Sequence, residues 1–222
     1  MRFIAPCAIL LSMKEQDKQK AIDVLGEVYF DSKPALIYHS PYQLLVAVIL
    51  SAQCTDERVN KVTAVLFEKY DTPEKMVTLT QGELEKYIYS CGFYRMKAEH
   101  ILSASQDILQ RFQGEVPQTV ESLMTLAGVG RKTANVVYSV AFDGDAIAVD
   151  THVFRVSNRL GLAKGKTPNE VEKGLRKAIK QSLWSKAHHW LIWHGRKICH
   201  SRKPACENCP LNHLCDYAKK NK

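Results

Sequence analysis

Apolar residues recur along this chain at spacings of three and four, the period of a helix with one buried face, and no segment alternates as a half-buried strand does. Ala21, Ile22, Leu25 and Val28 share one such face, with charged residues between them. Pro41 then opens Leu44-Leu-Val-Ala-Val-Ile-Leu50, an uninterrupted apolar run that predicts a helix buried nearly all round. Val59, Val62, Val65 and Leu66 predict the inward face of a helix from Glu57 to Tyr70, which Asp71-Thr-Pro73 ends. Two further helices, Gly82 to Tyr89 and Lys97 to Phe112, are separated near Gly92, and Gly114-Glu-Val-Pro117 interrupts the chain before a glycine-rich turn. Helical spacing resumes from Lys132 to Phe142, Asp143-Gly-Asp145 stops it, and Ala146 to Val149 reads as extended. Asp150 is placed to cap a helix carrying Val153, Val156 and Leu160 on one face. Thr167-Pro168 opens another helix through Ile179, and Ser185 to Gly195 forms the last before a cysteine-rich end. The predicted fold class is all-α.

A chain of 222 residues has room for one large domain or two modest ones with real cores. Its net charge of +8 points to an acidic polymer as partner, nucleic acid first, although charge alone does not select one. The segment Phe3 to Leu11 is apolar but too short to span a bilayer, and it lacks a clear signal-cleavage site. Lys14 to Lys20 turns strongly polar, so the first dozen residues read as a loosely attached extension. No membrane partner is expected. The location expected is cytoplasmic, or nuclear or organellar in a eukaryote. Of seven cysteines, four fall within seventeen residues near the C-terminus, which in a reducing compartment reads as metal ligation rather than disulfides. Cys7, Cys54 and Cys91 sit among apolar neighbours as plain buried thiols.

Leu126-Ala-Gly-Val-Gly-Arg-Lys-Thr-Ala134 carries the most chemistry. Gly128 and Gly130 permit a tight turn and a close approach of backbone to a ligand. The helix that follows begins with unpaired N–H groups and a positive dipole end, a natural phosphate site. A bare Gly-x-Gly is more often a simple interhelical turn, but Arg131, Lys132 and the basic charge favour DNA. Lys132 is either a phosphate contact or a nucleophile able to attack a sugar C1′ and form a Schiff base. The helix N-terminus and partial burial would both disfavour its charged form. A helix from Lys132 to Phe142 rises roughly 15 Å, and the seven residues back to Val149 reach roughly 23 Å when extended, so Asp150 can return to the lysine. A carboxylate there would stabilise cationic character on the sugar and help activate the amine, besides capping its own helix. His152, Arg155 and Arg159 form a basic stripe opposite the valines, either a solvated face or a set of phosphate contacts.

Cys199, Cys206, Cys209 and Cys215 supply four thiolates at spacings of six, two and five residues. Zinc usually takes two short Cys-x-x-Cys pairs or histidine partners, and His194, His200 and His213 leave it open. A [4Fe–4S] cluster takes four thiolates. Between the first two cysteines lies a basic loop with Arg202 and Lys203, placed to meet a phosphate.

The glycine hairpin, the cysteine spacing, Pro41 to Asp56, Gly92-Phe-Tyr-Arg-Met-Lys97 and His188-His-Trp-Leu-Ile-Trp-His-Gly195 together resemble the endonuclease III family of DNA glycosylase/AP lyases, from about Leu25 to Tyr217. The resemblance implies a six-helix domain with helix–hairpin–helix over residues 34–144 and a discontinuous iron–sulfur domain made of 1–33 and 145–222, flanking a DNA-binding cleft. It implies a monomer acting on damaged double-stranded DNA, with Lys132 and Asp150 catalytic, a [4Fe–4S] cluster on the four cysteines, and oxidised or ring-saturated pyrimidines excised. It further implies that Gln53 fills the place of a flipped nucleotide and Phe93 wedges against the opposite strand, with Gly128, Gly130, His152, Arg155, Arg202 and Lys203 also meeting DNA. Two departures stand out: Ala127 replaces a proline common in the family, and Arg95-Met96 replaces a small polar pair. The adenine-excising glycosylase of the same scaffold carries a catalytic glutamate where this chain has Val48.

Overall fold

The computed structural model describes residues 13–32 and 34–220. The expected N-terminal extension and Cys7 lie outside them. Within them the regular structure is entirely helical: α1 (Glu15–Val28), α2 (Pro41–Ser51), α3 (Asp56–Leu66), α4 (Pro73–Met76), α5 (Gln81–Ile88), α6 (Tyr94–Phe112), α7 (Val120–Leu123), α8 (Arg131–Ala141), α9 (Thr151–Leu160), α10 (Pro168–Ala178), α11 (Trp184–Lys197) and α12 (Asp216–Lys220). Short 3-10 turns occupy Gln181–Leu183 and Cys206–Asn208.

Hydroxyl and carboxylate side chains set most helix starts. Ser40, Thr55, Thr72, Thr80, Thr119, Asp150 and Thr167 each accept from a backbone N–H in the first turn of their helix, and Thr80 with Glu83 completes a reciprocal capping box. Lys14, Phe93 and Gly130, the N-caps of α1, α6 and α8, supply no such side-chain bond.

The chain divides into two compact units. The larger comprises Asp31–Ala148 and Gln181–His189. Its core is built round α2, every residue of which from Tyr42 to Leu50 is buried, packed on α3, α6 and α8. Burying each of these aliphatic side chains contributes about 1.5–3 kcal/mol relative to exposure. The Tyr42 hydroxyl is satisfied by Ser105 Oγ at 2.6 Å. The smaller unit joins the described residues up to Phe30 with Val149–Lys180 and the chain from Trp190 onward. There α10 packs on α1 and α9, and α12 packs on α9. The sequence placed the boundaries after residues 33 and 144 and kept 145–222 together. The larger unit instead begins at Asp31, keeps Asp145 to Ala148 and takes back residues 181–189. His188 Nδ1 lies 2.9 Å from the Ala148 carbonyl, Gln181 bonds Asp145, and Ser185 bonds the Ser139 carbonyl, which explains the return.

Some of the predicted faces differ. Val65, expected inside, is 55% exposed, because Val59, Val62 and Leu66 fall at i, i+3 and i+7 whereas Val65 lies off that stripe. Val28, at the last position of α1, is likewise exposed.

Candidate functional site

The glycine turn joins α7 to α8, and its two glycines do different things. Gly128 has φ +74, and a Cβ there would lie 2.9 Å from His100, so both the backbone and the neighbour require glycine. Gly130 has an ordinary extended conformation, and a Cβ on it would meet nothing within 4 Å. Only Gly128, then, needs the positive angle the sequence reading allowed to both. Gly130 is exposed and leads into an α8 first turn that holds no acidic residue. Basic residues beside the positive end of a helix dipole disfavour it, and an anion there would offset both.

Lys132 is the second residue of α8 and is exposed, so the partial burial expected of it is absent. Asp150 belongs to the smaller unit, is half-buried and caps α9, its Oδ1 accepting from Val153 N at 2.7 Å.

The basic stripe of α9 is turned to the molecule's own loop. Arg155 donates to the carbonyls of Cys199 at 3.0 Å and Gly195 at 2.9 Å and lies 3.2 Å from His152 Nδ1. Arg159 donates to the carbonyls of His200 at 2.6 Å and Ser201 at 3.0 Å, and its Nη1 lies 3.5 Å from Cys199 Sγ. Together they clamp the loop that starts at Cys199. Burial lowers the His152 pKa, with Arg155 and Arg196 adding to the effect and Asp150 opposing it. Arg202 and Lys203 stand exposed at the tip of that loop, Lys203 with φ +49.

Cys199, Cys206, Cys209 and Cys215 all line one pocket in the smaller unit, with Arg159, His194 and Asn212. Four thiols lining one pocket form a donor set that suits a multi-iron group. Burial, helped by the neighbouring thiols, pushes the Cys209 thiol up to about 11, so joint ionisation needs cations among them. His194 was visible in the sequence only as a possible zinc ligand. It is buried, with Nδ1 3.1 Å from the Tyr29 hydroxyl and Nε2 3.6 Å from Cys209 Sγ. Burial lowers its pKa to about 4 and raises that of Tyr29 to about 12, keeping both neutral. The Tyr29 O–H donating to Nδ1 leaves an Nε2–H facing a cysteine sulfur.

In the larger unit, Gln53 and Phe93 are both exposed, and both hold left-handed backbone conformations, φ +52 and φ +58. Their loops abut: a Cβ on Gly92 would lie 3.4 Å from the Gln53 carbonyl. Lys97, which the sequence did not single out, is buried and donates to the carbonyls of Leu50 and Ala52. Its signal was a lysine in the buried stripe of α6, in register with Ile101, Ala104 and Ile108. Among the described residues, no helix is long and apolar enough to cross a membrane.

Comparison with known proteins accounts for both halves of this arrangement. The family model described as HhH-GPD superfamily base excision DNA repair protein matches residues 46–181, and the iron–sulfur binding domain of endonuclease III matches residues 199–215. Endonuclease III of Rickettsia conorii is 48% identical over 92% of this chain and 98% of its own length, and that of Bacillus subtilis 47% over 90% and 91%. A solved trapped endonuclease III–DNA covalent intermediate in an estranged-adenine complex matches with a TM-score of 0.90 and 47% identity, covering 94% of this chain and 99% of that one. The chain belongs to the endonuclease III family of base excision DNA repair enzymes, DNA glycosylase/AP lyases that carry a [4Fe–4S] cluster.

Proposed function

We propose that this protein excises oxidised or ring-saturated pyrimidines, of the thymine glycol type, from double-stranded DNA through a Schiff base on Lys132. The observation that carries the reading is the start of α8, where exposed Gly130 supplies no side-chain cap, the first turn holds no acid, and exposed Lys132 lies beside a site for a backbone phosphate. The covalent DNA intermediate of the matched endonuclease III is in keeping with it.

The Lys132 amine attacks C1′ of the flipped nucleotide, and the bond from C1′ to the base breaks with its electron pair leaving on the base, which takes up a proton. Loss of the amine proton and opening of the sugar ring give an iminium, which acidifies the C2′ hydrogen. Removal of that proton expels the 3′ phosphate and cleaves the strand. Asp150 stabilises cationic character on the sugar and assists the amine. Gln53 fills the vacated stack and Phe93 wedges the opposite strand, while Gly128 and Gly130, His152, Arg155, Arg202 and Lys203 meet the backbone. Cys199, Cys206, Cys209 and Cys215 hold the [4Fe–4S] cluster, which supplies a rigid support for the basic loop and no step of the reaction. The enzyme acts as a monomer, in the cytoplasm as befits its bacterial relatives.

The test is borohydride trapping on a thymine glycol duplex. A covalent protein–DNA adduct with wild type and none with Lys132→Gln is the expected result. An active, DNA-binding wild type that gives no adduct sinks the Schiff base and brings forward a water-using glycosylase.

A further inference from the structure

Helix α2 ends without a basic residue in its last turn, so nothing in its own sequence complements the negative end of its dipole. Lys97, reaching in from α6, does so: Nζ donates to the Leu50 carbonyl at 2.8 Å and to the Ala52 carbonyl, at the α2 C-cap, at 2.7 Å. The side chain is only 4% exposed. Burying an ammonium is unfavourable, and burial lowers the Lys97 pKa, while the two bonds at a helix C-terminus offset that cost for the charged form. Its backbone serves the other loop. Lys97 N–H bonds the Phe93 carbonyl at 3.1 Å, the first helical bond after that residue's left-handed turn. One residue thus fastens, through its side chain, the segment immediately before Gln53 and, through its main chain, Phe93 itself.

We infer that Lys97 is a positioning residue for DNA interrogation, holding the Gln53 and Phe93 loops at the fixed separation needed to enter the duplex together. The inference rests on the reading that Gln53 and Phe93 touch DNA. Both are non-glycine residues on left-handed backbone, a conformation that costs of order 1 kcal/mol and persists only when the surroundings over-determine it. Lys97 is that over-determination. With the amine removed, the Leu50 and Ala52 carbonyls lose their donor, the end of α2 loosens, and Gln53 no longer holds its place beside Gly92. DNA held only through the glycine hairpin and the basic loop is unaffected.

The experiment compares wild type, Lys97→Met, Gln53→Ala and the double variant, each checked for its melting temperature and cluster absorbance. Affinity is measured for a duplex with a stable abasic-site analogue and for the same duplex undamaged. Lys97→Met should weaken abasic-site binding about tenfold, the equivalent of one charge-assisted hydrogen bond, and leave undamaged binding within about twofold. The double variant should lose no more than Gln53→Ala alone. If Lys97→Met does not fold, Lys97→Gln, with a polar end too short for both carbonyls, carries the same comparison. Additive losses, or equal losses on damaged and undamaged DNA, overturn the inference. If Gln53→Ala leaves abasic-site preference intact while Lys132→Gln still abolishes the adduct, the inference falls alone. An adduct persisting in Lys132→Gln instead removes the proposed function.

Discussion

Gly128 and Gly130 stand two residues apart, and replacing each by alanine separates fold from function. At Gly128 the positive φ and the 2.9 Å approach to His100 make Gly128→Ala destabilising by about 1–3 kcal/mol, read as a lower denaturation midpoint. At Gly130 an added methyl meets only open space, so Gly130→Ala should stay within about 0.5 kcal/mol of wild type. Its damage falls on DNA affinity, where the methyl meets an incoming phosphate; unchanged affinity would show that the phosphate does not approach there. The Gly-x-Gly pattern was legible in sequence, but which glycine answers to backbone strain was not, since His100 comes from a different helix. His189 offers a residue-scale test of stability. Burial, with His188 beside it, lowers its pKa to about 3. The unfolded chain takes up this proton below about 6.5 and the folded chain only near 3, so the stabilisation present at neutral pH is lost progressively as pH falls through that window. Chemical denaturation at pH 7 and pH 5 should show a smaller loss in His189→Asn than in wild type.

At the scale of elements, α9 shows where periodicity informs and where it misleads. Its apolar face was readable directly: Val153, Val156 and Leu160 are buried, and Asp150 caps the helix. The opposite stripe also has the right members, yet Arg155 and Arg159 bind carbonyls 40 to 44 residues further along the chain. A stripe of arginines looks the same in sequence whether solvent, phosphate or a returning loop lies in front of it. Truncating Arg159 to methionine removes the donor to the His200 and Ser201 carbonyls and to Cys199 Sγ. The expected outcome is faster loss of cluster absorbance under a chelator, with the secondary structure retained; an unchanged rate would mean that the clamp is incidental. His194→Phe should act in the same direction, because it removes the N–H facing Cys209.

At the scale of the whole chain, the two units contain different stabilising devices. The larger is centred on α2 and its aliphatic neighbours, whereas the smaller gathers four cysteines round a cavity. Removing the iron should therefore increase hydrogen exchange across residues 198–218 and leave the amides of α2 as protected as before. Loss of protection in α2 would show that the larger core depends on the cluster.

The sequence by itself determined the all-helical class, most helix starts, the glycine hairpin with its basic residues, and the four-cysteine spacing. Each is written in residues close together, where periodicity, capping hydroxyls and ligand spacing act locally. Tertiary structure alone decided that Lys97 lies under α2, that Arg155 and Arg159 face the cysteine loop, that His194 bridges Tyr29 and Cys209, and that residues 181–189 return to the larger unit. These depend on which carbonyl or sulfur a long polar side chain meets after the chain turns back on itself. The donor is fixed by its own codon, but its acceptor is chosen by packing of segments 15 to 165 residues away.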